Sequence, residues 1–139
     1  MAKRTLLLVL TLVPLLCHSQ QLRFDPLWSK SFVVELNQIR EQQGLPPLRY
    51  NRTLSKQSYI YSKSMAKRSR SNGKLYLEHA NPKWLFISLY DEENISFGED
   101  PLQLWMDSPP HRSTMMNRSM KRVGVSCYEE YCTLRVKSD

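Results

Sequence analysis

No apolar run in this 139-residue chain is long enough to anchor it in a bilayer. The longest, Thr5 to Leu16, falls short of the roughly 20 residues that a spanning helix needs, so we expect a protein that does not span a membrane. Internal repeats and low-complexity segments are missing as well. There is no His-Glu-x-x-His run, which would put two zinc ligands on one helix turn. Cysteine is scarce, with only three residues, and no Cys-x-x-Cys pair exists to support a redox or zinc-ribbon reading. The net charge of +7 is moderate and no recognition motif accompanies it, which argues against nucleic acid as a partner. Acidic residues are absent from Lys56 through Lys74, whereas Asp91 through Asp107 carries only acidic charge. Such a basic segment suits either an anionic surface or a solvated helix face.

What is present at the N-terminus has the layout of an export signal. Lys3 and Arg4 precede the apolar run, and Cys17 and Ser19 supply the small side chains that signal peptidase requires. We therefore expect residues 1–19 to be a signal peptide cleaved after Ser19. The remainder, about 120 residues, is the size of one domain with one core. Removing the signal takes away two basic residues and lowers the net charge to +5. It also takes away Cys17, leaving Cys127 and Cys132 to pair in an oxidising compartment. Three Asn-x-Ser/Thr triplets occur, at Asn51, Asn94 and Asn117. Asn51 and Asn117 lie in polar, turn-like context and are the glycosylation candidates, while Asn94 sits in an apolar, strand-like stretch and is expected to be buried.

Periodicity orders the elements. After a lead over residues 20–30, Phe32, Leu36 and Ile39 recur at helical spacing and Gly44 stops the first helix. Pro46-Pro47 then imposes an extended link. Asn51 caps a second helix whose inward stripe runs Leu54, Ser58, Tyr61, Met65 and which ends near Gly73. Residues 74–92 show no sustained period and read as a long loop. Glu93 to Gly98 reads as a strand, Asp100-Pro101 caps a third helix through Trp105, and a short fourth helix is expected over Ser113 to Met116. Val123–Cys127 and Cys132–Val136 form a closing hairpin. The class is α+β, an α-β-α sandwich with a small antiparallel three-stranded sheet flanked by helices.

The segments Gly44-Leu45-Pro46-Pro47-Leu48, His79, Glu93-Asn94-Ile95, Trp105 to Arg112 and Val123-Gly124-Val125 follow one another in an order that resembles the CAP superfamily of cysteine-rich secretory proteins, antigen five and plant pathogenesis-related proteins of group one. Its compact bacterial branch carries Trp-x-x-Ser-Pro-Gly-His-Arg, and the resemblance spans residues 31–136, leaving 137–139 as a tail. It implies secretion and a cleft in which two histidines and two acidic residues meet, sometimes around a divalent metal. By position His79 and His111 match the cleft histidines and Glu93 the acidic residue. Glu92 and Pro110 stand where the family has glycine, Ser108 stands at the second acidic position of animal members, and the last strand carries no histidine.

Two classes of function follow. In the first, the domain acts by binding a lipid, a sterol or a cell-surface component, with Trp84, Phe86 and Tyr90 as candidate walls of an apolar groove and no cofactor required. In the second, His79, Glu93 and His111 hold Zn²⁺ with a position left for water, the arrangement of a metal-dependent hydrolase. The binding class is favoured, and no catalytic residue is assigned beyond these three candidates.

Overall fold

The computed structural model describes residues 23–80 and 90–139. The export signal and the groove candidates Trp84 and Phe86 lie outside the described residues. In chain order the elements are α1 (Pro26–Gln42), β1 (Arg49–Tyr50), α2 (Arg52–Asn72), β2 (Glu92–Phe97), α3 (Pro101–Asp107), α4 (Pro109–Met115), β3 (Arg122–Tyr128) and β4 (Tyr131–Lys137).

Each helix start has a local cause. Asp25 Oδ1 accepts from the Leu27 and Trp28 amides, and Pro26 occupies the first helical position. The first helix therefore begins inside the stretch read as a lead. The same Asp-Pro pair opens α3, where Asp100 accepts from Gln103 N. Asn51 caps α2 through Leu54 N, as expected, and Gly73 ends it in the left-handed conformation. The fourth helix starts at Pro109 rather than Ser113. Two consecutive prolines fit its first turn because amides there have no intrahelical acceptor.

Among the described residues the sheet has four strands in the order β1-β3-β4-β2, not three. β2 and β3 both run antiparallel to β4, while β1 pairs parallel with β3 through Arg49 and Tyr50. Two residues are too few to show a strand period, which is why the sequence reads there only as an extended link. Asn37 of α1 holds this link in place: its Nδ2 donates to Leu48 O and its Oδ1 accepts from Leu48 N.

Alternation along the strands separates two faces. Val123, Val125, Cys127, Cys132, Leu134 and Val136 point into the main core with Phe32, Val33 and Leu36 of α1, Trp105 of α3 and Met115 of α4. Trp105 is fully buried and its Nε1 donates to Ile95 O. On the opposite face Gly124, Ser126 and Thr133 meet α2, whose inward stripe is mostly serine. Ser58 Oγ donates to Gly124 O, Ser62 Oγ to Ser126 O, and Ser55 Oγ accepts from Val125 N. Small hydroxyl side chains let the helix lie close on the sheet while their oxygens stay satisfied.

Cys127 and Cys132 face each other across β3 and β4, with Cα atoms 4.1 Å apart, and are disulfide-bonded. The strands are joined by Glu129-Glu130, the first with φ 54°. Because the closed loop is short, reduction is expected to lower stability by only about 2 kcal/mol. Thermal melts with and without reductant measure this; a much larger drop would mean that the bond holds more than its own hairpin.

Candidate functional site

Glu93 is the hub of the polar cluster on the α2 side of the sheet. It is the second residue of β2, directly opposite Arg135 of β4 in register, and both side chains are nearly buried, at 4% and 7% exposure. Arg135 Nε donates to Glu93 Oε2 at 2.8 Å. Glu93 Oε1 accepts from the Ala80 amide at 2.9 Å and lies 3.1 Å from His79 Nδ1. The carboxylate thus ties the segment after α2 to the sheet and orients the His79 ring, which remains more than half exposed.

Two tyrosines complete the cluster. The Arg135 guanidinium lies 5.3 Å from the centre of the Tyr61 ring and 4.4 Å from that of Tyr90. Burial first, and the Glu93 charge second, push both phenols above their usual pKa, so both are neutral donors near neutrality. Tyr61 uses its hydroxyl to donate to Glu78 O. Tyr90, a candidate groove wall, is therefore half-buried against a cation.

His111 approaches from α4. Its Nδ1 lies 2.9 Å from Ser108 Oγ, and its backbone carbonyl accepts from Asn94 Nδ2. That contact explains the burial of Asn94, which is 1% exposed and lies on the sheet face opposite Glu93. Burial, and then the neighbouring His79, hold the His111 imidazole below its usual value of 6.5. Between the lowered native pKa and 6.5 the unfolded chain binds the proton more readily than the native one, so stability rises with pH across this window. His111→Gln is expected to flatten that slope. Denaturant melts of both proteins between about pH 5 and pH 7.5 test it, and identical slopes would contradict the assignment to His111.

His79 and Glu93 are thus in direct contact, with His111 close enough to His79 to feel its charge. A zinc-ligand set needs more than this. Both carboxylate oxygens of Glu93 are engaged by donors, one of them a guanidinium. Among the described residues no three His, Cys, Asp or Glu side chains stand close enough together to hold a metal ion. The residues do not fit the three-ligand site, and no metal-dependent step is derived from them.

Sequence reading missed Arg135 and the part played by Tyr61. A cation set between the apolar Leu134 and Val136 in the middle of a strand was the available signal, because such a charge needs a buried partner. Of the glycosylation candidates, Asn51 spends its side-chain oxygen on the α2 cap, and Asn117 Nδ2 donates to Glu92 Oε1.

Among the described residues no helix is long and apolar enough to cross a membrane. The family model for CAP, the cysteine-rich secretory protein family, matches residues 33–135. The uncharacterized protein YkwD of Bacillus subtilis is 34% identical over 112 residues, covering 70% of this chain and 41% of that protein. An extracellular protein of Bacillus anthracis containing an SCP domain superposes with a TM-score of 0.67 at 22% identity, over 80% of this chain and 40% of the other. An outer surface protein of Borrelia burgdorferi does so with a TM-score of 0.56 at 17% identity, over 79% of this chain and 92% of its own. The chain thus spans about two fifths of YkwD and of the Bacillus anthracis protein. With the element order, the two-faced sheet and the family match in agreement, this chain belongs to the CAP, or cysteine-rich secretory protein, family.

Proposed function

We propose that the chain is a secreted CAP domain that acts by binding, taking a lipid, a sterol or another cell-surface component at the cleft around His79, Glu93 and His111. The observation that supports binding over metal-dependent hydrolysis is the commitment of Glu93. A carboxylate that accepts from Arg135, Ala80 and His79 has a bracing role, and it leaves two imidazoles as the polar groups to meet a ligand. His79 is exposed, and His111 is held neutral by burial, so it can donate to or accept from a hydroxyl or carbonyl. An extracellular setting agrees with the description of two structural neighbours as extracellular or outer-surface proteins.

The test is extraction and mass spectrometry of lipids carried by the purified protein, followed by titration of the identified class into wild type and a His79→Ala/His111→Ala variant. The double variant is expected to bind about tenfold more weakly, the size of losing one or two polar contacts. Undiminished binding would move the ligand away from this cleft. Zinc titration in parallel is expected to give no stoichiometric uptake; zinc uptake together with a hydrolytic activity lost in the same variant would favour the hydrolase instead.

A further inference from the structure

The outward face of α2 carries charge of one sign only. The helix contains six basic residues, Arg52, Lys56, Lys63, Lys67, Arg68 and Arg70, and no acidic one. At 3.6 residues per turn, all of these but Arg68 fall within an arc of about 60°, forming a row about 27 Å long. All five are exposed. On the other side of the helix Leu54, Ser58 and Met65 are buried against the sheet.

The fold draws little on this row. Arg70 pairs with Glu129 at 2.7 Å, and Lys63 lies over the Tyr128 ring at 5.5 Å. Arg52, Lys56 and Lys67 have no ion-pair partner among the described residues. The arrangement also works against the helix itself. Arg52 sits at the positive end of the helix dipole, and Arg52–Lys56 and Lys63–Lys67 are like-charge neighbours four residues apart.

The occupant that fits is a linear polyanion. A helix that lies in a membrane surface needs an apolar stripe to insert. The apolar side chains of α2 are spent on the sheet, and Ile60 is its one exposed large hydrophobic. A narrow, straight row of cations instead matches negative charges repeated along a chain. We propose that α2 binds a linear anionic polysaccharide of the cell surface along Arg52, Lys56, Lys63 and Lys67. This does not rest on the function proposed above, since Tyr61, which packs on Arg135 beside Glu93, projects from α2 at least about a third of a turn away.

Heparin serves as the probe, measured by titration calorimetry at low and physiological salt, with phosphatidylserine-containing vesicles as the second arm. Lys56→Glu/Lys67→Glu is expected to weaken heparin binding by at least about tenfold, with an unchanged circular dichroism spectrum because both side chains are exposed. Arg112→Glu/Arg118→Glu makes the same change in net charge on the α1 and α4 side of the sheet, away from the row, and is expected to alter binding by less than about twofold. Equal weakening by the two pairs would overturn the proposal in favour of net charge alone. So would failure of wild type to bind heparin, or tighter binding to the vesicles that depends on Lys56 and Lys67.

Discussion

Glu93→Ala is expected to destabilise the domain by about 3–5 kcal/mol, because it leaves the Arg135 guanidinium buried without a counter-charge. Arg135 is 7% exposed and held between two tyrosine rings, so it cannot swing into water without dismantling the cluster. The same change releases the Ala80 amide and the His79 ring. Stability and ligand binding should therefore fall together. Glu93→Gln separates the two contributions: it keeps an oxygen acceptor but removes the charge, and its cost should be smaller than that of Ala. Replacing both partners, as in Glu93→Gln/Arg135→Met, should recover part of the loss, since a buried pair is worth less than the penalty of breaking it. Urea unfolding of the four proteins reads this directly. A Glu93→Ala midpoint close to wild type would show that the pair is not the brace described above, and with it the argument against a free Glu93 ligand would fall.

Gly124→Ala should be at least as damaging, though it adds a single methyl group. A Cβ at this position would collide with the backbone of Leu54 and Ser55, where α2 crosses β3. Those atoms cannot move aside independently, because Val125 N donates to Ser55 Oγ and Gly124 O accepts from Ser58 Oγ on either side of the contact. Overpacking typically costs about 1–3 kcal/mol and more where backbone must shift. We expect a loss above that range, or failure to accumulate folded protein. Gly44→Ala provides the contrast, since a Cβ there meets nothing within 4 Å and the strain is confined to its φ of 65°. Its expected cost is about 1 kcal/mol. Comparable losses at the two glycines would mean that the close approach of α2 to β3 is not what Gly124 provides.

The residues bearing on these predictions differed in how openly the sequence declared them. Helix starts were legible where a single residue carries the signal, as at Asn51 and Asp100-Pro101. Asp25-Pro26 carries the same signal, but it lies ahead of the helical period that begins at Phe32. The short parallel strand β1 was not legible, since its pairing is decided by a partner more than 70 residues away in β3. The inward face of α2 was located correctly, yet hydropathy alone hides its character. Ser55, Ser58 and Ser62 are buried because they match the hydroxyls and bare backbone of the facing strands, not because they are apolar.

By itself, the sequence determined the α+β class, the family and the Cys127–Cys132 pairing, because each depends on local spacing or on the order of motifs. Tertiary structure alone decided how His79, Glu93 and His111 are held. Register brings Arg135 opposite Glu93, and two rings close over it. The resulting ion pair commits the carboxylate that sequence order had offered as a metal ligand. Low-dielectric burial is the reason: a carboxylate shut away from water is stable only with donors on its oxygens, and once they are in place little acceptor capacity remains for anything else.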